Sequence, residues 1–409
     1  MEENWGSTYF VEKHFKNWYS RNSQIVSAPE KLMSREFAFL TFHGRTMYRH
    51  IMFPSEVELQ RYLRNNAPAH SYHSSSYYGD PTADMSRKGW LGADLVFDID
   101  ADHFDLPCQK VHDKWKCRNC GEEGKGHPPE ICKCGRAQFE NETWLCEDCL
   151  QAAKHEAQKL LDILIQDFGI DPENFLTNFS GHRGYHVHVT SDLVKKLGQN
   201  SRREIVDYIM ATGLKAEYQG FSLQKRGARS SAPEGGWRGR TLRALYDYIS
   251  QVTEEEVKSL NLGDNAINNI LNEKNKVLKT LMERHPSNVI PLIDPQSLDK
   301  ILKEALVLQA SEIDTVVTTD IHRLIRLTNT LHGKTGWQVQ TIPYGFLPDY
   351  DPLTSAIVIT GDYVKLEFDR APEIRILDET FGPYNEEVAE VPLEAALFFL
   401  AKKGARVIE

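Results

Sequence analysis

Hydrophobic and polar positions along the chain follow two periods, one typical of helices and one typical of strands. Apolar residues at helical spacing predict three helices in the first half of the chain: residues 1–30, 56–66 and 150–168. Alternation with a period of two predicts a β-hairpin and three further strands: residues 35–42 with 46–53, then 91–100, 174–180 and 184–190. The intervening residues 67–90 are rich in Ser, Tyr, Pro and Gly, which predicts a loop.

The second half of the chain changes its pattern twice. Residues 192–312 are predicted to be helical and charged, whereas the last hundred residues return to strands. The predicted elements there are strands at 356–360, 363–368 and 373–377 and a final helix at 393–404. Between these regions, residues 321–327 (IHRLIRL) are predicted to form a helical turn whose arginines point outward. The predicted buried positions of this turn are Leu324, Ile325 and Leu327.

This order of elements predicts an α/β fold in which helices and strands are mixed, as in α+β proteins. A chain of 409 residues with 41% hydrophobic residues is long enough for two or three domains with buried cores. The predicted core has β-sheets flanked by helices and is assembled from residues 1–107, 151–191 and 313–409. Two insertions interrupt it: a metal-binding module of residues 108–150 and a mainly helical insertion of residues 192–312.

Charge and hydropathy limit the function classes. The formal net charge of -10 argues against wholesale coating of nucleic acid, yet residues 222–243 hold six basic residues against one acidic residue. That Gly-rich segment is either a polyanion contact or a solvated loop, and both interpretations stay open. No apolar run approaches about 18 residues, and the N-terminus lacks a secretory leader. We therefore expect no membrane span and a location in the cytoplasm, or in the nucleus for a eukaryotic source.

The stretch DLVFDIDADHFD, residues 94–105, concentrates aspartates at the end of a predicted strand. Since strand side chains alternate between faces, Asp98 and Asp100 share one face, while Phe97 and Ile99 enter the core. Residues two apart on one strand face have Cα atoms about 7 Å apart, so their carboxylates can converge on one or two Mg²⁺ ions, whose remaining ligands are substrate phosphates. A solvated strand end is the alternative, and the DxD pattern alone weighs the two equally.

Residues 178–189, NFSGHRGYHVHV, form the second candidate constellation. Gly181 and Gly184 flank a His-Arg pair, and such glycines let backbone amides approach a ligand closely. Arg183 supplies a fork of donors that matches phosphate oxygens, and the two histidines of GYHVHV share one strand face. This basic edge suits a triphosphate. A hairpin turn with incidental histidines is the alternative.

The third constellation is DTVVTTDIHRLIRLTNTLHGKTGW, residues 314–337. It combines two aspartates and two arginines with a Gly-bounded turn, LHGKTG, that presents His332, Lys334 and Thr335. The turn resembles the end of a Walker A loop. Because the first half of GxxxxGK[ST] is missing, a P-loop NTPase is excluded.

In this order, the DxD strand, the SGHRGYH turn and the HGKTG turn resemble the small, catalytic subunit of the archaeal–eukaryotic DNA primase, from SREFAF to the C-terminal GAR. The resemblance implies a primase-type catalytic core and assigns catalytic metal binding to Asp98, Asp100 and Asp314. Asp320 is a competitor at a less suitable spacing. Nucleotide binding is assigned to a larger set: Ser180, Arg183, His186, Arg326, His332, Lys334, Glu36 and Arg49. His182 departs from the family, because eukaryotic members carry an arginine there.

The resemblance further implies a DNA primase that makes short RNA primers on single-stranded DNA for replication. Its two-metal mechanism would use Mg²⁺ or Mn²⁺, with NTPs or dNTPs as substrates and a larger regulatory subunit as heterodimer partner. A primase-polymerase of repair or end joining is an alternative within the enzyme class. A non-catalytic zinc-ribbon protein that binds nucleic acid is a second alternative, but it would leave the three aspartates unexplained.

All seven cysteines lie between residues 108 and 149, and without a secretory leader we expect them to bind metal rather than form disulfides. In the resembled family a zinc knuckle has the order Cys, His, CxxC, which implies one site: Cys108, His112, Cys146 and Cys149. The other cysteines indicate an inserted zinc ribbon: Cys117, Cys120, Cys132 and Cys134. Eight ligands make two tetrahedral, structural Zn²⁺ sites with none left over. The alternative is a single zinc site: Cys117, Cys120, Cys146 and Cys149.

Overall fold

The computed structural model describes residues 5–43, 46–221, 235–283 and 286–408. The chain divides into two compact units. The first contains Met1–His155, Glu173–Arg202 and Ile313–Glu409, and the second contains Glu156–Pro172 and Arg203–Glu312. Most of the basic Gly-rich segment, residues 222–234, lies outside the described residues. No described helix is both long and apolar enough to cross a membrane.

Helices occur in both units. In chain order they are α1 (Trp5–Asn22), α2 (Glu56–Asn66), α3 (Gln109–His112), α4 (Glu147–Gln166), α5 (Gln199–Ile209), α6 (Gly236–Gln251), α7 (Glu254–Ser259), α8 (Asp264–Asn272), α9 (Lys274–Leu281), α10 (Pro295–Leu306), α11 (Thr315–Thr319), α12 (Pro352–Ser355) and α13 (Leu393–Ala401). Helices α6 to α10 build the core of the second unit, where Leu245 and Leu298 are buried. Thr253 and Glu256 form a capping box at α7, and Asp294 caps α10. The prediction that residues 192–312 are mainly helical is confirmed for the described residues of that range.

The strands of the described residues all lie in the first unit. In chain order they are β1 (Phe37–Leu40), β2 (Tyr48–Ile51), β3 (His70–Ser74), β4 (Ser76–Tyr78), β5 (Trp90–Ala93), β6 (Leu95–Asp100), β7 (Lys114–Cys117), β8 (Glu123–Lys125), β9 (Phe139–Glu142), β10 (Phe175–Phe179), β11 (Gly184–Val189), β12 (Leu324–Arg326), β13 (Gln340–Ile342), β14 (Tyr363–Ala371), β15 (Ile374–Ile376), β16 (Glu379–Phe381), β17 (Tyr384–Pro392) and β18 (Ala405–Val407). One four-stranded sheet has the order β13-β10-β11-β6, and another has the order β12-β3-β1-β2 and includes the predicted hairpin. The cysteine-rich segment contributes a small sheet, β8-β7-β9.

The register of β6 against β11 places the first two constellations side by side. Asp98 pairs with His186, and Asp100 pairs with Gly184. Phe97 and Ile99 are fully buried, as strand alternation predicts. The two aspartates therefore lie on the opposite face of β6, where both are partly exposed.

Three local predictions are wrong. Residues 67–90 contain β3 and β4 instead of a continuous loop, because β3 is paired on both sides, with β1 and β12. Residues 321–327 contain β12 instead of a helical turn, because Leu324 and Arg326 pair with β3. In a segment this short, pairing with a neighbouring strand outweighs local apolar spacing. Residues 356–360 form no strand and follow the end of α12.

Candidate active site

A cavity of about 260 Å³ in the first unit collects residues from all three constellations. Of the residues assigned from the sequence, seven line it: Asp98, Asp100, Ser180, His186, Arg326, His332 and Lys334. His182 and Arg323, which had no assigned role, line it as well. Four assigned residues do not line this cavity: Glu36, Arg49, Arg183 and Asp314.

Asp98, Asp100 and Asp314 form an acidic cluster. The backbone N–H of Asp314 donates to the carbonyl oxygen of Asp98 over 2.9 Å, and its carboxylate caps the first turn of α11. Burial, followed by repulsion from Asp100 and Asp314, raises the pKa of Asp98 to about 7. The competing Asp320 instead accepts a hydrogen bond within its own turn, from the N–H of His322. A divalent cation would neutralise the repulsion within the cluster.

The two glycines of the SGHRGYH turn let parts of the protein approach each other. A Cβ at Gly184 would overlap the carbonyl oxygen of Ile99 on β6. Gly181 has a φ of +81°, and a Cβ there would lie 2.7 Å from Cβ of His332. Thr335 Oγ1 donates to the carbonyl oxygen of Gly181 over 2.6 Å, which joins the HGKTG turn to this one. β6 and the HGKTG turn therefore fill the space beside these glycines, where a ligand was expected.

Arg183 is buried, with 1% of its side chain exposed. Its guanidinium pairs with three carboxylates: those of Asp100, Asp102 and Asp113. Nη1 also donates to the carbonyl oxygen of Trp144 over 2.7 Å, while Nε has no hydrogen-bond partner among the described residues. Burial lowers the pKa of Arg183 to about 10, so the guanidinium stays charged at neutral pH.

Three cations line the cavity without a carboxylate oxygen of the described residues within 4.0 Å: Arg323, Arg326 and Lys334. Arg326 Nη1 lies 2.6 Å from Nδ1 of His70, and its guanidinium lies 4.7 Å from the centre of the Tyr72 ring. Burial, followed by repulsion from Arg326, lowers the pKa of Lys334. Because cations that line one cavity without an anion repel one another, this arrangement favours a ligand with several negative charges.

Lys402 is a further cation that sequence reasoning missed. It follows the apolar helix α13, and its Nζ donates to Nε2 of His182 over 2.6 Å and to the carbonyl oxygen of Thr143 over 3.0 Å. The ring of His182 in turn stacks on that of His332, with centroids 5.3 Å apart. Nothing in the local sequence KKGAR distinguishes Lys402 from an ordinary lysine at a helix C-terminus, so only the fold shows its position.

Glu36 and Arg49 belong to a separate ion cluster. Glu36 is fully buried, with Nζ of Lys88 2.7 Å and Nε of Arg49 3.1 Å from its carboxylate oxygens. Burial would raise the pKa of Glu36, but hydrogen bonds from Lys88 and Arg49 lower it below its ordinary value. Lys88 was missed because it lies in the segment predicted to be a loop.

The seven cysteines and His112 form two groups, in each of which all ligand atoms lie within 4.8 Å of one another. The first group is Cys108, His112, Cys146 and Cys149. The second group is Cys117, Cys120, Cys132 and Cys134. These are the two sets that the ligand count favours, and the alternative single set is not assembled among the described residues.

The spacing in both groups fits a tetrahedral zinc ion. Zn–S bonds of about 2.3 Å give a tetrahedron with edges of about 3.8 Å. Neighbouring Sγ atoms within the groups are 3.6 or 3.7 Å apart. His112 donates from Nδ1 to Asp113 over 2.7 Å, so its Nε2, 3.4 Å from Sγ of Cys149, is the nitrogen available to a metal. Four protein ligands leave no open coordination position, which indicates structural sites.

Comparison with known proteins gives consistent matches along the chain. A family model described as DNA primase small subunit matches residues 127–342. The DNA primase small subunit PriS of Cenarchaeum symbiosum is 32% identical over 397 residues, which cover 96% of each chain. The protein of the same name from Methanothrix thermoacetophila is 33% identical over 430 residues, with 98% of each chain covered. That of Archaeoglobus fulgidus is 33% identical over 400 residues, with 97% of each chain covered.

Proposed function

Because the chain belongs to the DNA primase small subunit family, whose members are nucleotidyltransferases, we propose that it is the catalytic subunit of a DNA primase. In this proposal it has a primase-type catalytic core and synthesises short RNA primers on single-stranded DNA for replication. One observation carries the proposal: two aspartates of β6, Asp98 and Asp100, line one cavity with the cations of the third constellation. A metal-bound nucleoside triphosphate needs this combination of charges.

The residues proposed to hold Mg²⁺ or Mn²⁺ are Asp98, Asp100 and Asp314. Carboxylate oxygens suit these ions, and relief of the repulsion of Asp98 by Asp100 and Asp314 favours their binding. When bound there, two such ions would activate the attacking 3′-hydroxyl and would balance the charge of the triphosphate and the departing pyrophosphate. Asp314 keeps its place through the N–H bond to Asp98 and the cap on α11.

The cationic side of the cavity is proposed to bind the triphosphate. Arg326 and Lys334 supply charge that no carboxylate of the described residues neutralises within 4.0 Å. Ser180 and His332 add hydrogen-bonding groups at the cavity wall. Donors that are already in place stabilise charge as it develops in the transition state, without a cost of reorganisation during the reaction.

Each of the other assigned residues is proposed to have its own supporting role. His186 has its Nε2 3.4 Å from Oδ1 of Asp98, where it can orient that carboxylate. Arg183 places a charged guanidinium beside Asp100. Glu36 anchors Arg49, which is proposed to help position a nucleotide.

The proposal also includes partners and structural metals. Template DNA would be held mainly through its sugar-phosphate backbone, with a larger primase subunit as heterodimer partner. Both cysteine groups are proposed to bind Zn²⁺. Because the relatives described above come from archaea, the cytoplasm is the proposed location.

Primer synthesis by the purified full chain on single-stranded DNA tests the proposal. NTPs and dNTPs are supplied in parallel, with Mg²⁺, with Mn²⁺ and with neither. We expect short RNA products that require the template, NTPs and a divalent cation. A folded, zinc-loaded chain that makes no product under any of these conditions, with or without a large primase subunit, would contradict the proposal.

A further inference from the structure

The carboxylate of Asp113 contacts both a zinc ligand and the SGHRGYH turn. Its Oδ1 accepts from Nδ1 of His112 over 2.7 Å and from the backbone N–H of Trp144 over 2.8 Å. Nη1 of Arg183 donates to Oδ2 over 3.1 Å and approaches Oδ1 at 3.4 Å. Asp113 is buried, with 4% exposed, so water competes little for these bonds.

Arg183 extends this chain of contacts to the aspartate strand. On one side its Nη1 is held by Asp113 and by the carbonyl oxygen of Trp144. On the other side its Nη2 pairs with Asp102, and its Nε lies 3.7 Å from Oδ1 of Asp100. The side chain of Asp102 is 40% exposed, so the interactions with Asp113 and Trp144 are the more sheltered anchor of the guanidinium.

We propose that Asp113 is a positioning residue that couples the first cysteine group to Arg183. The metal-held imidazole of His112 fixes the carboxylate of Asp113, and this carboxylate fixes the guanidinium beside Asp100. The coupling rests on the proposed function only in so far as Asp100 and the triphosphate belong to the reaction. The contacts themselves do not depend on that function.

The chemistry of a histidine ligand explains why the metal matters for Arg183. A metal bound at Nε2 requires the proton on Nδ1, which makes that nitrogen a fixed donor to Asp113. Without the metal, the ring can change tautomer or rotate, and Asp113 then loses one of the donors that hold it. Partners of this kind typically change metal affinity or activity by about 10–100-fold when they are removed.

The coupling must also operate in the reverse direction. If loss of zinc from the first cysteine group changes the position of Arg183, then replacing Arg183 should in turn weaken the binding of zinc by that group. If the ion pair between Asp113 and Arg183 only stabilised the fold, its loss would not affect zinc binding by the first cysteine group alone. The second cysteine group, which includes Cys117 and Cys134, therefore serves as an internal control within the same molecule.

Zinc release from the zinc-loaded full chain to a chromogenic chelator tests the coupling. The variants are Asp113→Asn, Arg183→Met and the two combined. Asp148→Asn is the matched control, because it removes an exposed carboxylate beside the first cysteine group. Release from the first group is assigned by repeating the measurement in chains with Cys132→Ser and Cys134→Ser, which leave a single complete set of ligands.

We expect Asp113→Asn and Arg183→Met each to accelerate zinc release from the first group by about 10–100-fold. The combined variant should release zinc no faster than Asp113→Asn alone, because both changes break the same connection. Release from the second group, and release by Asp148→Asn, should match the unmodified chain. Unchanged release by Arg183→Met would overturn the coupling, and this arm remains decisive even if Asp113→Asn fails to fold.

Binding of inorganic triphosphate supplies a second readout that does not depend on primer synthesis. In the zinc-loaded chain, Asp113→Asn should weaken triphosphate binding by about tenfold or more, and Asp148→Asn should leave it unchanged. If zinc-loaded Asp113→Asn and the zinc-loaded unmodified chain bind triphosphate with equal affinity, the proposal that Asp113 positions Arg183 is overturned. If the variants change both zinc release and triphosphate binding but the unmodified chain makes no primer, the coupling is supported and the proposed function is contradicted.

Discussion

Nζ of Lys402 donates to Nε2 of His182 over 2.6 Å, and 220 positions separate the two residues in the chain. No carboxylate oxygen of the described residues lies within 4.0 Å of that ammonium group. When the amine of Lys402 is protonated, it donates to Nε2, so the neutral imidazole of His182 then carries its proton on Nδ1 and can donate it to a ligand in the cavity that it lines.

Replacing Lys402 by Met should therefore weaken triphosphate binding. We expect a dissociation constant for inorganic triphosphate about 10–100-fold higher, because a hydrogen bond that involves a charged group contributes about 1.5–3 kcal/mol. Isothermal titration calorimetry measures the change. Lys403→Met is the matched control, since Lys403 is the exposed neighbour. If the two variants bind inorganic triphosphate with equal affinity, Lys402 does not contribute to the binding site.

The same lysine predicts proton uptake on binding. Burial, followed by repulsion from Arg183 and Lys334, lowers the pKa of Lys402 to about 7, although Asp113 and Asp100 oppose the shift. The free protein therefore leaves this amine mostly neutral at pH 8, and a bound polyanion raises its pKa again, so binding takes up a proton and weakens as pH rises above 7. Calorimetry at pH 8 in buffers of different ionisation enthalpy should show about one proton more for the unmodified chain than for Lys402→Met. Equal uptake by both would contradict the assignment.

Gly184 predicts a packing effect at the junction of β6 and β11. Ala at this position would place its Cβ against the carbonyl oxygen of Ile99, and we expect the free energy of unfolding to fall by about 3 kcal/mol, as in overpacked cores. Gly198→Ala is the control, because a Cβ at Gly198 meets nothing within 4 Å. Its effect should stay within about 0.5 kcal/mol. Urea denaturation compares the two, and equal midpoints would show that the strands are not so closely packed.

The two cysteine groups predict the metal content. Elemental analysis of the purified full chain should give close to two zinc ions per chain, because the four ligands of each group fit one tetrahedral ion. Replacing Cys132 and Cys134 by Ser should lower the value to about one, since the first group shares no ligand with the second. A content near one in the unmodified chain would contradict the two-site arrangement.

Elements with a strong local pattern could be predicted from the sequence. Helix α2 begins at Glu56 and ends at Asn66, the predicted limits, because Ser55 caps its first turn and Ala67 ends it in a left-handed conformation. The alternation in β6 placed Asp98 on the open face for the same local reason. Short strands such as β12 were not predictable, because their conformation depends on a partner, here β3, that is remote in sequence.

The residues of the candidate site differ in the same way: some could be predicted from local sequence patterns, and others could not. Asp98 and His186 lie within recognisable segments, and the strand register that brings them together follows from the pairing of β6 and β11. Lys402 and Asp113 carry no comparable signal, because one follows an apolar helix and the other follows a cysteine-module histidine. Only the folded structure shows that both residues contact the SGHRGYH turn.

Formation of the first dinucleotide tests the central claim most directly. The full chain is supplied with single-stranded DNA, NTPs and Mg²⁺ or Mn²⁺, and the product is compared with that of Asp98→Ala combined with Asp100→Ala. We expect the double variant to keep its fold and both zinc ions and to make no dinucleotide, whereas the exposed control Asp105→Ala remains active. Undiminished dinucleotide synthesis by the double variant would contradict the claim that these aspartates form the catalytic metal site.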